Sequence, residues 1–387
     1  MKIKTIGIKY PQKRLVLNKV EGIKYCKIQN YINPFLKKFK RFEVWKPFFD
    51  FDIDGYHTVN TVMLTEKPWC CSFEDYVPRG GVKDFWDMAY HGKHIVQNKR
   101  IDKMVQVISR PNCKRLIALS ECNLNMQLKF YENYGHHELT DVLAAKTCTL
   151  KVPQDILSDD IPQLTTNIKF VFVGNDFIRK GGREVLEVLK EIRKVRNNFE
   201  LNLITNIETN KNYSFYKFQD SVDKLDEIRD WARQQEWIHI YTNIPNENVI
   251  EIIKRSNVGF LPTWFDTYGY SVLEMQACGV PVITTNVRAL PEINKNGWIM
   301  EIPTNFNNEI IIDSIGKKND IRKTMQKQMY DIVLSILDNN NLINSKGKAC
   351  LEYIAKFHSP YEYSKKLAEI YSEFEGDACK EHIDNRY

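Results

Sequence analysis

NVGFLPTWFDTYGYSVLEMQACGVPVITTNVRALPEI, residues Asn257 to Ile293, is the stretch around which the rest of the chain is read. Val258 to Leu261 is a short apolar run closed by Pro262, the pattern of a strand buried on both faces of a parallel sheet. Ser271 with Glu274 three residues on reads as a capping box, and the helix it opens runs to about Cys278 and stops at Gly279. Pro281 to Thr285 (PVITT) is the next buried strand. Between strand and helix lies Asp266-Thr267-Tyr268-Gly269-Tyr270. A loop at the carboxyl end of a parallel strand is where open α/β sheets hold ligands, and the free N–H groups of the following helix suit an anion.

The same order recurs upstream. Ile168 to Val173 (IKFVFV) is a strand, followed by Gly174-Asn175-Asp176-Phe177-Ile178-Arg179-Lys180-Gly181-Gly182. A helix from Arg183 to Arg196 follows, with Val185, Leu186, Val188, Leu189 and Ile192 at helical spacing. Glycines let backbone approach phosphate, and Arg179-Lys180 supplies charge beside a helix start.

Together the two stretches resemble the GT4 family of retaining glycosyltransferases. Asp266 and Glu274, with seven residues between them, match its acid-x7-acid signature, and Gly174 with Lys180-Gly181-Gly182 is similar to its pyrophosphate-holding element. The resemblance implies the GT-B fold: two Rossmann-like α/β/α domains facing a cleft, with a C-terminal helix crossing back to the first. Domains are expected at 1–155 and 165–355, with the crossing helix and tail at 356–387. Val152-Pro153-Gln154 and the proline- and Asp-containing run 151–167 read as the linker.

The implied reaction moves a sugar from a UDP- or GDP-sugar to a hydroxyl of a glycan or lipid-linked acceptor. Asp266 is assigned to the sugar hydroxyls, Glu274 to the ribose, and Arg179 and Lys180 to the departing diphosphate. Carboxylates suit diols because they accept paired hydrogen bonds. The donor-binding set is Gly174, Asn175, Lys180, Gly181, Thr267, Tyr268, Gly269, Tyr270 and Glu274, with Tyr270 expected mainly to pack. No cofactor is implied and no metal site is read, protein cations taking the metal's place. The sequence departs from the family at three points. Asn175 stands where Arg is usual, so Arg179 is expected to reach the phosphate instead. Asp266 is one methylene shorter than the usual Glu. Glu74 stands where a strand commonly ends in His.

The remainder frames these motifs. Of 387 residues, 43% are hydrophobic and 27% charged, an ordinary globular composition without a long apolar run. A cytoplasmic location follows as an expectation, and the nine cysteines read as reduced structural thiols. Residues 1–50 hold thirteen Lys/Arg against three acids. The cluster Lys37-Lys38-Phe39-Lys40-Arg41-Phe42 suits anionic lipid head groups on the inner membrane face, or else a solvated helix face. No nucleic-acid partner is expected.

In the first domain, strands are expected at Ile3–Ile8, Thr58–Thr65, Pro68–Phe73 and Arg115–Ser120, with helices at Tyr31–Phe42 and Glu121–Tyr134, the latter stopped by Gly135. Val82–Ile108 has helical spacing. Asp54-Gly55-Tyr56-His57 reads as a loop. His57, Glu74 and Asp75 are the acceptor-side candidates, each with an alternative as a packed or surface residue. Tyr361 to Phe374 is the last amphipathic helix. Two other readings stay open: a sugar-nucleotide epimerase of the same fold, and a catalytically inactive nucleotide-sugar-binding or scaffold protein.

Overall fold

Two sheets, each of six parallel strands, carry the chain in a computed structural model. It describes residues 1–6, 12–16, 20–27, 44–47, 52–78, 99–133, 137–208, 218 and 221–375. One unit is Met1–Pro153 with His358–Tyr387, the other Gln154–Phe357. Among the described residues, no helix is long and apolar enough to cross a membrane. The basic cluster Lys37–Phe42, the Tyr31–Phe42 helix, the first part of Val82–Ile108 and Gly135 lie outside the described residues.

The first unit contains β1 (Lys2–Ile6), β2 (Lys24–Lys27), β3 (Val44–Trp45), β4 (Gly55–Val59), β5 (Val62–Met63), β6 (Trp69–Phe73), β7 (Cys113–Ala118) and β8 (Thr147–Thr149). Its helices are α1 (Lys99–Ser109), α2 (Glu121–Asn133) and α3 (His137–Lys146). The main sheet runs β2-β1-β4-β6-β7-β8, and β3 pairs separately with β5. Every residue of β4 and β6 is buried, as in strands covered on both faces.

Three expectations change here. Gly55-Tyr56-His57 is strand, not loop. Its glycine is required by packing, because a Cβ on Gly55 would stand 2.5 Å from the Phe374 ring. The single strand expected over Thr58–Thr65 is broken at Asn60, whose φ of 54° turns the chain while the Thr58 hydroxyl donates to the Thr61 carbonyl at 2.6 Å. Helix α3 and strand β8 were not anticipated, since their short segments carry little periodicity.

The second unit contains β9 (Ile168–Val173), α4 (Gly182–Ile192), β10 (Phe199–Ile204), α5 (Val222–Arg233), β11 (Ile238–Tyr241), α6 (Asn246–Lys254) and β12 (Val258–Leu261). It continues with α7 (Tyr270–Ala277), β13 (Val282–Thr285), α8 (Leu290–Ile293), β14 (Trp298–Met300), α9 (Ile315–Asp338) and α10 (Asn341–Phe357). The sheet order is β11-β10-β9-β12-β13-β14. The chain fills one side from β9 outward, then returns to β12 and fills the other, so β9 and β12 flank the topological switch point.

Residues 154–167 are not a free tether. The Leu157 and Ser158 N–H groups both donate to the Ala277 carbonyl, and Asn257 Nδ2 donates to the Gln163 carbonyl at 3.1 Å. The final helix, α11 (Pro360–Ser372), packs in the first unit. There the Tyr363 hydroxyl donates to the Leu15 carbonyl at 2.9 Å and Arg115 Nε reaches Glu373 at 2.8 Å.

Candidate active site

The loop after β9 is a tight turn built by its own backbone. The N–H groups of Lys180, Gly181 and Gly182 donate to the carbonyls of Asp176, Ile178 and Phe177 at 2.9, 3.1 and 2.8 Å. Gly181 has φ 83°, and a Cβ there would overlap the Pro262 carbonyl, so this loop and the one after β12 touch through bare backbone. The Lys180 stem lies against Gly174, where a Cβ would come within 2.9 Å of Lys180 Cγ.

The two loops are then stitched together. Trp264 N–H donates to the Arg179 carbonyl at 2.9 Å, and Arg179 Nη1 donates to the Phe265 carbonyl at 2.7 Å. Asp176 holds Arg179 from behind, accepting from its backbone N–H at 3.2 Å and its Nε at 3.0 Å. Lys180 Nζ makes a direct ion pair with Asp266 Oδ2, and the two side chains are only 15% and 9% exposed. Residues 86 positions apart thus meet where the sheet reverses its order.

Burial opposes both charges of that pair. It depresses the Lys180 ammonium; Asp266 works against that and Arg179 with it. For Asp266 the desolvation is outweighed by Lys180, Arg179 and the Tyr268 backbone N–H, which hold its carboxyl below the usual range. Asp266 is a carboxylate near neutral pH, aimed at cations a diphosphate would also seek.

The cap of helix α7 is Gly269, not Ser271. Gly269 caps it at φ 92°, and Val272 N–H closes the first turn on the Gly269 carbonyl at 2.9 Å. The expected capping box is therefore absent: Ser271 is already inside the helix, and Glu274 lies one turn in, 7% exposed. The helix end is as read. Gly279 at φ 71° sends its N–H to Gln276, and the next N–H, of Val280, reaches Met275, the paired pattern of a glycine-terminated helix.

The remaining candidates divide. Asn175 is exposed, Thr267 half-buried, and Tyr268 only 1% exposed with its ring 5.1 Å from that of Tyr270. Tyr268 is thus the packing tyrosine, and Tyr270 the more open one, the reverse of the expectation. Arg179 is the second correction. Its guanidinium clamps the two loops through Asp176 and Phe265 rather than standing free for a phosphate.

In the first unit, His57 is fully buried, sharing hydrogen bonds with the Tyr371 hydroxyl at 2.7 Å and Ser72 Oγ at 2.8 Å. Burial lowers its pKa to about 3. It is a structural imidazole, closed to an acceptor. Glu74 and Asp75 follow β6 at its carboxyl end. Glu74 exchanges hydrogen bonds with Asn60 at 3.1 and 3.4 Å, and the Asp75 carbonyl accepts from Asn123 at 3.3 Å. Sequence reading missed Asp176, Trp264 and Thr263, whose hydroxyl donates to the Phe265 carbonyl at 2.8 Å, as loop-fixing residues. The Asp176-x-x-Arg179 spacing was the available signal for the first.

Residues 154–327 match the family model described as Glycosyl transferases group 1, a span that includes both loops. Among curated proteins, the O-antigen chain mannosyltransferase B of Escherichia coli is 20% identical over 249 residues, covering 57% of this chain and 63% of that protein. The chain therefore matches less than two thirds of that relative's length. Among solved structures, a glycosyltransferase from Rickettsia africae superposes with TM-score 0.62 at 15% identity, covering 97% of this chain and 98% of its own. HepE from Anabaena, solved with UDP-glucose, gives TM-score 0.56 at 11% identity, covering 96% and 99%. Residues 154–327 are thus a group 1 glycosyl transferase domain, GT4-like, carried in a chain of GT-B fold.

Proposed function

We propose that the chain is a retaining glycosyltransferase that moves a sugar from a UDP- or GDP-sugar to a hydroxyl of a glycan or lipid-linked acceptor during surface-polysaccharide assembly. The observation that carries this reading is the Lys180–Asp266 pair across the β9 and β12 loops. A diphosphate held at the β9 loop sits beside Lys180 and the start of α4. The sugar it carries then falls against Asp266, and the ribose toward Glu274.

Leaving of the diphosphate builds negative charge on its oxygens. Lys180 and the α4 amides meet that charge in a site already shielded from water, which lowers the barrier. Arg179 adds positive potential while fixing both loops. The leaving phosphate takes the acceptor proton on the same face of the sugar, so no separate general base is called for. Donor binding replaces Asp266 by phosphate as the partner of Lys180 and frees the carboxylate for sugar hydroxyls. Protein cations perform the role a divalent metal has in other transferases. The protein is placed in the cytoplasm, and its basic first fifty residues bring it to the inner membrane face where lipid-linked acceptors lie.

A thermal-shift panel of UDP, GDP and their sugars, with and without Mg²⁺, tests the reading. A ligand at a hundred times its Kd adds about 2.7 kcal/mol to folded-state stability. The expected result is a shift with one nucleotide, equal with and without Mg²⁺ and absent in Lys180→Ala. No shift with any of them overturns it. Glu274→Ala is expected to abolish turnover with the fold intact, measured by sugar transfer from the donor identified.

A further inference from the structure

We infer that Arg322 is a positioning residue of the donor site: it cancels the Glu184 carboxylate behind the phosphate-facing end of α4 and braces Trp264 under the acid-bearing loop. The inference rests on the donor site proposed above. Arg322 lies on α9, far in sequence from either loop. Its Nε donates to Glu184 Oε1 at 2.8 Å, and both side chains are buried, 9% and 1% exposed.

Glu184 is in the first turn of α4. An acid there stabilises the helix through its dipole, but it also sets a negative charge within a turn of the amides that a diphosphate needs. Its Oε2 is buried and has no hydrogen-bond partner among the described residues, so Arg322 is the group that balances it. The charge is felt by its neighbour. Burial, partly offset by Arg183 and reinforced by Glu184, pushes the Glu187 carboxyl above the usual range.

The face of the same guanidinium covers Trp264, 5.6 Å from its ring centroid. Trp264 donates its N–H to the Arg179 carbonyl and precedes Asp266 by two residues. One cation therefore sets both the potential at the α4 start and the seat of the β12 loop. A simple link between helices α4 and α9 would do neither.

The two roles separate by sign. Titration calorimetry with UDP and GDP, and with uridine and guanosine as controls, reads the affinities of three variants. Arg322→Gln leaves the Glu184 charge uncancelled and is expected to weaken diphosphate binding about tenfold. Glu184→Gln leaves a surplus cation and is expected to tighten it by a similar factor. The Glu184→Gln/Arg322→Gln pair returns close to the parent value, and nucleoside binding stays unchanged throughout. A purely structural link predicts that both single variants weaken binding together; that result, or no change in either, overturns the inference. If Arg322→Gln fails to fold, Glu184→Gln decides alone, since only the electrostatic role gives tighter binding. If the parent protein binds neither UDP nor GDP, the donor-site reading falls and this inference with it. If the parent binds and the variants do not move, only this inference falls.

Discussion

Both units are built on a sheet of six parallel strands, yet among the described residues the buried ion pairs lie in the second unit. The second unit buries charges: Lys180 with Asp266, Arg322 with Glu184, and Arg288 with Glu309 at 2.6 Å, all on or behind the carboxyl side of its sheet. The first unit buries neutral groups. His57 sits between Tyr371 and Ser72, and Gln127 both accepts from the Val77 N–H and donates to its carbonyl, at 2.8 and 2.7 Å. Neutral hydrogen bonds cost far less to bury than ions, and a buried ion pair is a poor way to add stability. The same scaffold is thus tuned two ways. A neutral network secures the final helix to the first sheet, while on the function proposed above the Lys180–Asp266 pair of the second unit serves an anionic ligand.

The largest test of that contrast is Lys180→Ala. Loss of a preorganised cation facing the leaving group lowers kcat by about 10²–10³, read by sugar transfer. Asp266 is also left buried without its main partner, at roughly 3 kcal/mol of second-unit stability. Adding Asp266→Ala is expected to restore much of that stability without restoring turnover. Hydrogen exchange, which resolves the two units, should find the first unchanged by either variant. Recovery of turnover in the double variant would mean that the pair is scaffold after all.

The second unit was legible because its signals are local. The strands Ile168–Val173 and Val258–Leu261 are apolar runs ending at turn residues, and the reading of each matched its bounds. Gly279 announced its helix end through the one property only glycine supplies freely. The first unit was harder for physical reasons. A central strand that starts at Gly55, directly after Asp54, looks like a turn, because the sequence hides that Gly55 is there to admit the Phe374 ring from the far end of the chain. The site was legible as residue types, not as partnerships. Nothing local to Arg179 says that Phe265, 86 residues on, takes its guanidinium. Ser271 resembled a cap until Gly269, in a left-handed conformation, started the helix ahead of it.

Acid sharpens the comparison next. His57 has its pKa lowered from 6.5 to about 3 by burial, so below pH 6.5 the unfolded chain binds a proton that the folded one refuses. Stability is therefore present above pH 6.5 and lost as pH falls toward 3. By pH 4.5 the loss is on the order of 2–3 kcal/mol for this one group. His358, lowered to about 4 by burial, acts in the same direction and also belongs to the first unit. Asp266, held below the usual carboxylate range by Lys180 and Arg179 against its burial, keeps its contribution down to more acidic pH. Denaturant unfolding at pH 7 and 4.5, followed by unit-resolved hydrogen exchange, should find the first unit weakened and the second not. His57→Gln should remove much of that pH dependence, on the order of 2–3 kcal/mol. Equal weakening of both units would erase the distinction between neutral and charged interiors.

Tyr371→Phe is the smallest and most discriminating change. It removes a single oxygen from α11 and leaves His57 Nδ1 without that partner inside the first unit. The ring stays, so its packing against Phe374, with centroids 5.5 Å apart, is kept. The expected cost is about 1–2 kcal/mol of first-unit stability, the usual penalty for a buried group left unpaired. Nucleotide affinity should not move, because none of the donor-site residues lies in that unit. A drop in affinity for UDP or GDP with the second unit's stability unchanged would show that the neutral network also bears on the ligand, and the two interiors would then have to be treated as one coupled system rather than as scaffold and site.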